Sequence, residues 1–376
     1  MGLRRVPIPL DEYPVHQTPL PMDRVATSDR NFYDRCYFNA HDRTGEVFLV
    51  TGLGVYPNLG IIDAYATARC GDRQWTVRFS GALAERSLEQ QVGGYRIEVV
   101  EPLQRLHLSC AAPDGGIDFD LHWTAAFPAV QEEPHLLLAG ARPILDASRF
   151  SQLGCWSGRL RVGDTEFAVT PGQWAGARDR SWGIRPVGEP EPPGRAAAEP
   201  MTGFWWLYAP LQFESCAVIV ILQENPDGYR TVNDAKRVWK DGRVEQLGWP
   251  RAEIGYQSGT RHPESARIYL TQRDGTPLTL DVETLTSVPL HVGAGYPGDP
   301  DWSHGRWMGR KWSSSAVYDL TDPAVAGRVP FGVIDHLARA RLDGEEGWGM
   351  FEHATIGRYD PSGFKDWSFV APELDG

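Results

Sequence analysis

The stretch of this chain best suited to chemistry is residues 172 to 186, which lie between a strand-like run and a proline-rich segment. Three arginines, one aspartate and two tryptophans lie there: Arg178, Arg180, Arg185, Asp179, Trp174 and Trp182. A buried Arg–Asp brace would use them to hold two layers together by bidentate hydrogen bonds. Alternatively, Asp179 is an acid–base carboxylate whose pKa the guanidinium groups tune while the indole rings exclude water. Residue types alone favour the brace.

Four other segments place polar residues in apolar or aromatic surroundings. Their candidates are Tyr56, Asp63, Trp302, His304, Asp335, His336, Glu352 and His353. Each histidine or carboxylate, taken singly, is typical of a hydrogen-bonded structural residue, and neighbours on a strand point to opposite faces of the sheet. Their occurrence in one chain with Asp179 favours a single polar patch inside a hydrophobic cavity.

Two motif-like stretches lack residues that their functions require. The Gly-x-Gly-x-x-Gly spacing that begins at Gly293 contains Pro297, which prevents the helix whose N-terminus would bind a dinucleotide phosphate. A stretch resembling a calcium loop begins at Asp299, but its sixth position is His304 and its twelfth is Arg310. The sequence has no Cys-x-x-Cys pair and no histidine pair at a helical metal-binding spacing. We therefore expect neither a cofactor nor a metal site.

The elements that must position these side chains are mostly strands. Apolar and polar residues alternate in residues 117 to 123, 159 to 162 and 278 to 283, and Asp-Gly turn signals separate many such runs. A helical pattern occurs at residues 83 to 91 and, more weakly, at 333 to 340. The pattern predicts an all-β protein of antiparallel barrels or strongly curved sheets, with less than about 15% helix.

A proline-rich segment at residues 187 to 203 divides the chain into halves of similar length. Its composition is typical of a linker or an exposed loop, and each half is a series of short strands. The economical architecture is two similar β-barrels packed together. We predict an N-terminal domain of residues 1–190 and a C-terminal domain of residues 191–376.

Composition narrows the class of partner. The chain has 376 residues, and its net charge of −12 argues against nucleic acid, which requires a basic surface. Fourteen tryptophans among 11% aromatic residues suit sheet packing, but they also suit a cavity for a large apolar ligand. Five scattered cysteines indicate no disulfide framework, and no apolar run approaches the roughly 20 residues that span a bilayer. Because residues 1 to 25 also lack the apolar core of a secretory signal, the expectation is a cytoplasmic protein.

The segment around Asp179 resembles a signature of the double-lipocalin superfamily of carotenoid 1,2-hydratases and AttH-like proteins. Its matching positions are Gly176, Asp179, Trp182 and Gly183, while Arg180 and Ser181 replace the family's His and Asn. Residues 31–35, 56–60, 178–186 and 349–353 resemble, more closely, a bacterial family of uncharacterised function in that superfamily. The resemblance covers nearly the whole chain. It implies two lipocalin-like barrels and, among relatives, cofactor-independent hydration or cyclisation of apolar substrates.

Protonation of an alkene requires a carboxylic acid that stays neutral near pH 7, which burial can arrange. Asp179 is the first candidate for this acid or base. If Arg178 and Arg180 lower its pKa, the donor is another catalytic candidate: Glu352, His353 or Asp335. Substrate-binding candidates are Tyr56, Arg178, Arg180, Trp182, Trp302, His304 and His336, with Tyr56 or His304 orienting water or a substrate oxygen.

Three hypotheses follow. The first is a cofactor-independent hydratase, isomerase or cyclase acting on a hydrophobic, isoprenoid- or polyketide-like molecule. The second is a non-catalytic protein that holds an apolar ligand in one of its barrels. The third is a structural or partner-binding protein in which the polar clusters merely join the barrels. Convergence of Asp179 with a histidine or glutamate on one cavity would favour the enzyme over the carrier.

Overall fold

The computed structural model describes residues 7–14, 24–83, 88–139, 141–191 and 202–372. The protein is 60% strand and 4% helix, in two antiparallel sheets that form one nearly closed barrel and one half-barrel. The predicted all-β double-barrel fold is thereby confirmed. The helical pattern at residues 333 to 340 was misleading, because a strand runs from Ile334 to Leu342. Of the other helical stretch, residues 84–87 lie outside the described residues, and Gln90–Val92 is a strand.

The first half of the chain forms a curved sheet whose strands pair mainly with their neighbours in sequence. Its strands are β1 (Phe32–His41), β2 (Val47–Tyr56), β3 (Ile61–Cys70), β4 (Arg73–Ala82), β5 (Gln90–Val92), β6 (Tyr95–Glu101), β7 (Arg105–Ala111), β8 (Ile117–Ala125), β9 (Val130–Gln131), β10 (His135–Ala139), β11 (Arg142–Val162), β12 (Thr165–Val169) and β13 (Ala175–Ile184). A 3-10 turn, Pro9–Glu12, precedes them. The central order is β4-β3-β2-β1-β13-β11-β8-β7-β6-β5.

The second half forms the other sheet and returns one strand to the first. Its strands are β14 (Gly203–Gln212), β15 (Cys216–Glu224), β16 (Arg230–Trp239), β17 (Val244–Gln246), β18 (Gly248–Tyr256), β19 (Pro263–Thr271), β20 (Pro277–Pro289), β21 (Lys311–Asp319), β22 (Ile334–Leu342) and β23 (Glu345–Gly357). Three short helical turns accompany them: α1 (Pro323–Ala326), Val329–Phe331 and Asp360–Ser362. The sheet order is β17-β16-β15-β14-β23-β22-β20-β19-β18, whereas β21 pairs with β4 at the edge of the first sheet.

Each sheet wraps around its own apolar core. Large side chains such as Trp123 and Trp156 fill the interior of the first, and Trp205 and Phe351 belong to the core of the second. A third apolar layer joins the outer faces of the two sheets, with Phe48 from the first and Ile219 from the second. Buried apolar side chains thus line both barrel interiors, and the two sheets meet in this third layer.

The chain passes from the first sheet to the second between Ile184 and Gly203, close to the proline-rich boundary. The return of β21 means that residues from the second half complete the first sheet. The division into domains at residues 190 and 191 stays a prediction.

Candidate functional site

Strand alternation places a row of polar and aromatic side chains in the layer between the sheets. On β1, Cys36 and Phe38 face the core of the first barrel. Arg35 and Tyr37 therefore point to the opposite face, where Tyr37 belongs to the layer between the sheets. The same alternation directs Asp179 of β13 into this layer, because its neighbour Ala177 lies two residues away on that face.

Asp335 and Glu352 form a carboxyl pair in this layer. They lie opposite each other on β22 and β23. The Tyr37 hydroxyl, from the other sheet, donates to Asp335 Oδ2 at 2.5 Å, and Trp206 Nε1 donates to Glu352 Oε1. Asp335 Oδ1 is buried without a donor among the described residues, but the Glu352 carboxyl lies within hydrogen-bonding reach. Two carboxyl groups can share such a bond only when one of them carries a proton.

The surroundings of this pair favour its protonated form. Burial raises the pKa of Asp335 well above its usual value, and the neighbouring Glu352 charge raises it further. Burial also raises the pKa of Glu352, although the hydrogen bond from Trp206 opposes the shift. Asp335 is fully buried, whereas Glu352 is half-buried. The pair therefore retains a proton at higher pH than a free carboxylate, with Glu352 as its accessible member.

Asp179 adds a third carboxyl to the group, and we call Asp179, Asp335 and Glu352 the carboxyl cluster. Burial raises the pKa of Asp179 to about 7, an effect that Arg149 partly offsets and that Glu132 and Glu352 reinforce. Arg149 itself donates to Glu132 and stacks 4.8 Å above the Tyr208 ring. The structure thus brings together three of the four residues that the sequence predicts as catalytic.

A second polar group lies in the same layer around Asp63. The Tyr56 hydroxyl donates to Asp63 Oδ1 at 3.1 Å, and the Gly305 backbone N–H donates to Oδ2 at 2.6 Å. Burial raises the pKa of Asp63 to about 7 against these donors and the nearby Arg35. His304 Nδ1 lies 3.6 Å from Asp63 Oδ1, and burial lowers the pKa of this imidazole well below its usual value. Tyr56 and His304, both predicted to bind substrate, therefore meet at this carboxyl.

A cleft of about 630 Å³ opens beside the Asp63 group. Arg35, Arg185 and His304 line it, together with residues of the segment that joins the two sheets. The charge of Arg35 acts on both Asp63 and Asp179, and that of Arg185 acts on Glu352. The cleft is therefore electrostatically linked to the carboxyl cluster.

The structure corrects the arginine partners expected for Asp179. Arg178 and Arg180 point into the first barrel, where Arg178 donates to both oxygens of Glu12 and Arg180 pairs with Asp34 at 2.7 Å. Successive residues of a strand face opposite sides, so the arginines on either side of Asp179 cannot contact its carboxyl. Buried Arg–carboxylate braces do exist here, but they use carboxylates from other parts of the chain.

The remaining predicted residues do not join the carboxyl cluster. His353 faces the core of the second sheet, where its Nε2 lies 3.2 Å from the Tyr256 hydroxyl. His336, on the neighbouring strand β22, faces the same core, and its Nδ1 lies 3.1 Å from the Phe351 carbonyl oxygen. Trp182 alternates with Asp179 on β13 and shares the face of Arg180. Trp302 is fully buried in the layer and packs edge-on against His304 at 4.8 Å.

Sequence reasoning missed Arg35, Tyr37, Arg149 and Trp206 as members of the site. Arg35 and Tyr37 carry a readable signal, because residues with polar groups alternate with the apolar Cys36 and Phe38 along residues 35 to 39. Arg149 and Trp206 carry none, since their role depends on pairing between strands distant in sequence.

A possible metal-ligand set also escaped the sequence analysis. His107, Asp120 and His122 have ligand atoms within 4.8 Å of one another among the described residues. His107 and His122 are a cross-strand pair, so their spacing in the sequence does not match the helical spacing of a metal-binding histidine pair. They lie on the outer face of the first barrel, away from the carboxyl cluster, because Leu106, Leu108 and Leu121 between them face its core.

Comparisons with known proteins identify a sequence family and structures of similar fold. The profile of a family described as "Family of unknown function (DUF8625)" matches residues 8–365. No curated protein matches the sequence. A crystal structure described as an AttH from Nitrosomonas europaea superimposes with a TM-score of 0.54 at 13% identity, over 91% of this chain and 98% of that one. Kievitone hydratase from Nectria haematococca superimposes with a TM-score of 0.50 at 12% identity, over 89% and 90% of the two chains. The fold implied by the predicted resemblance to AttH-like proteins is therefore confirmed.

Proposed function

The chain belongs to the DUF8625 family, whose function is unknown, and we propose that it is a cofactor-independent acid–base enzyme of the hydratase, isomerase or cyclase type. Its substrate is a hydrophobic small molecule of isoprenoid or polyketide character. The observation that carries the proposal is the carboxyl pair of Asp335 and Glu352, buried beside the half-buried Asp179 with the pKa of all three groups raised. A carboxylic acid that keeps its proton near neutral pH is what protonation of a carbon–carbon double bond requires.

In this proposal Glu352 transfers the proton because it is the accessible member of the pair. Asp335, held by the Tyr37 hydroxyl, positions the carboxyl of Glu352 and supports its protonated form. For hydration, the proton goes to one alkene carbon, water adds to the other, and Asp179 accepts the proton that this water loses. For isomerisation, the cation returns a different proton to a carboxylate. For cyclisation, a second double bond attacks the cation before a proton is lost.

The surroundings suit a cationic intermediate. The aromatic rings of Tyr65, Tyr296 and Trp206 lie around the polar groups, and ring faces attract positive charge. Since each sequence of steps returns the proton to the protein, no redox or group-carrying cofactor is needed. The fold is shared with kievitone hydratase, a protein named as a hydratase, which supports a hydro-lyase or cyclase type in general terms.

A carrier of an apolar ligand is the alternative function. The apolar layer between the sheets is the observation that favours it, since Phe48, Ile219 and their neighbours could hold a ligand without reaction. Three convergent carboxyl groups favour the enzyme, because burying carboxyl groups costs stability and serves no purpose in an apolar carrier.

A trapping experiment separates the two functions. Wild-type protein and the variants Asp335→Asn and Glu352→Gln are purified under native conditions, and the ligands that remain bound are identified by mass spectrometry. We expect the variants to hold substrate and the wild type to hold product, so that the ligands differ by the mass of water or, for isomers, in retention time. Wild type should then convert the trapped substrate at least about a hundredfold faster than either variant.

The control is Asp164→Asn, a change at an exposed turn that should leave conversion unaltered. If wild type and both variants hold the same compound and wild type leaves it unchanged, the enzyme proposal fails and the carrier stands.

A further inference from the structure

The cleft beside the Asp63 group carries two kinds of arginine. Those at its rim are neutralised by acidic partners. Arg306 donates to Glu189 Oε1 at 2.8 Å, and Arg142 donates to Glu191 Oε2 at 2.6 Å. Arg30 donates to the Glu189 carbonyl oxygen at 2.9 Å and pairs with Glu191, whose Oε1 lies 3.8 Å from Arg30 Nη1. The rim is therefore a set of exposed ion pairs with little net charge.

Arg35 and Arg185 line the same cleft without such partners. Neither guanidinium group makes a hydrogen bond or an ion pair within the part of the chain that the structure describes, although both have hydrogen-bond donors to offer. Arg35 is only 7% exposed, and Arg185 is half-buried. Burying a guanidinium group without a hydrogen-bonded anion lowers the stability of the fold. A role in folding therefore does not account for these two arginines.

Aromatic rings hold both groups in place. Arg35 lies 5.1 Å from the centre of the Tyr296 ring, and Arg185 lies 5.4 Å from that of Tyr33. Stacking on a ring fixes a guanidinium while leaving its N–H edges free for a ligand. Gly54 leaves space for both Tyr56 and Arg35, since a Cβ at this position would lie 2.3 Å from the Tyr56 hydroxyl oxygen and 3.0 Å from Arg35 Cγ.

The charges around the two arginines do not cancel them. Asp63 and Asp179 are the carboxyls whose pKa the charge of Arg35 lowers, yet burial keeps the pKa of each at about 7. His304 is neutral because burial and the two arginine charges lower the pKa of its imidazole. The floor of the cleft therefore has an excess of positive charge near neutral pH.

We propose that Arg35 and Arg185 form an anion-binding subsite and that the substrate of the proposed reaction carries an acidic group, a carboxylate or a phosphate, on its hydrophobic skeleton. This inference rests on the proposed function and narrows its substrate class from apolar to amphipathic. Planar guanidinium groups bind carboxylate and phosphate oxygens in pairs, and two of them converging on one cleft would orient the acidic end.

The subsite fits the reaction as well as the ligand. An acidic group bound by Arg35 and Arg185 leaves the apolar part of the molecule to extend toward Glu352 and Asp179, on which these arginine charges act. The added negative charge disfavours ionisation of the nearby carboxyls and so favours their acid forms. Binding and proton transfer are thus coupled through charge.

Two fluorescent probes test the subsite without knowledge of the substrate. N-phenyl-1-naphthylamine is apolar and neutral, and 8-anilinonaphthalene-1-sulfonate has the same skeleton with a sulfonate added. We expect wild type to bind one equivalent of the sulfonate at least about tenfold more tightly than the neutral probe, with the difference falling as salt rises. Arg35→Met and Arg185→Met should each remove most of this preference and leave the neutral probe's affinity within about twofold.

Arg306→Met is the matched control, because this rim arginine is already paired with Glu189. It should keep the preference. Thermal melting supplies a second readout: since Arg35 has no anionic partner to leave unpaired, Arg35→Met should melt at the wild-type temperature or above it. A structural arginine would instead lose stability when replaced.

Three results would overturn the subsite: no preference for the sulfonate in wild type, an unchanged preference in both Arg35→Met and Arg185→Met, or an equal loss of the preference in Arg306→Met.

Failure of the proposed catalytic activity would be recognised by different results. If the sulfonate depends on Arg35 but trapped ligands show no conversion, the subsite stands as that of an anion carrier. If the neutral probe alone binds, a hydrophobic site stands without its acidic end.

Discussion

Glu352 and His353 are adjacent in sequence, yet the first joins the carboxyl cluster and the second lies in the core of another layer. The same holds for Asp335 and His336. At the scale of residues the sequence therefore named all three carboxyls of the cluster as candidates, but it could not choose between neighbours. That choice depends on which face of a strand meets the second sheet, and only the register between distant strands decides it.

The pH dependence of stability provides a prediction for Asp179. Its folded pKa of about 7 lies above its ordinary value of 3.8, so its contribution to stability is fully present below pH 3.8 and is lost as the pH rises toward 7. Asp179→Asn stays neutral and loses nothing over this range. Relative to wild type, the variant should therefore gain stability between pH 4.5 and 7.5, by as much as about 3 kcal/mol.

Urea unfolding of both proteins at the two pH values measures this gain, and Asp164→Asn serves again as the control. A difference between Asp179→Asn and wild type that is the same at both pH values would contradict the raised pKa. A large loss of stability at both values would restore the structural brace as the role of Asp179.

At the scale of elements, the 3-10 turn Pro9–Glu12 fastens the first barrel from inside. Glu12 accepts hydrogen bonds from Arg178 and from the Leu103 backbone N–H, and its own carbonyl oxygen accepts one from Arg180. Sequence patterns did not reveal this turn, because the carboxyl of Glu12 and its partner Arg178 are 166 residues apart. The sequence indicated that the arginines have a role, but it did not identify Glu12 as their partner.

Glu12→Ala should destabilise the fold by roughly 3 kcal/mol or more, because it leaves the buried guanidinium of Arg178 without its carboxylate. Replacing both members, as Glu12→Ala with Arg178→Met, should recover part of this loss since no charge is then left unpaired. Denaturant midpoints of the two variants and wild type provide the measurement. Equal stability of Glu12→Ala and wild type would show that the turn contributes little to the barrel.

At the scale of the whole molecule, period-two patterning and the proline-rich boundary predicted the all-β double-barrel fold correctly. They could not predict that β21 crosses back to pair with β4, because its pattern resembles that of any other strand. The location of the site between the sheets was also out of reach, since it is formed by the outer faces of both. In the described residues no helix is long and apolar enough to cross a membrane.

The crossing of β21 leads to a prediction about fragments. Residues 1–190 alone would lack β21, leaving the edge of β4 unpaired and the apolar layer uncovered. We expect each half, 1–190 or 191–376, to aggregate when expressed alone and the two to copurify when coexpressed. Size-exclusion chromatography distinguishes these outcomes. A monomeric, cooperatively unfolding 1–190 fragment would instead establish the predicted N-terminal domain as an independent folding unit.

The returning strand also limits how such a protein can exchange parts with its relatives. A crossover near residue 190 would join the first barrel of one protein to the second half of another. The β21 of that second half pairs with a different β4 in its own protein, so the two strands would not match in the hybrid. The carboxyl cluster would be mismatched in the same way, because Asp179 and Tyr37 come from one half and Asp335 and Glu352 from the other. Inheritance of a working site therefore favours transfer of the whole chain, and chimaeras intended to alter specificity should take their new residues as point changes around the cleft.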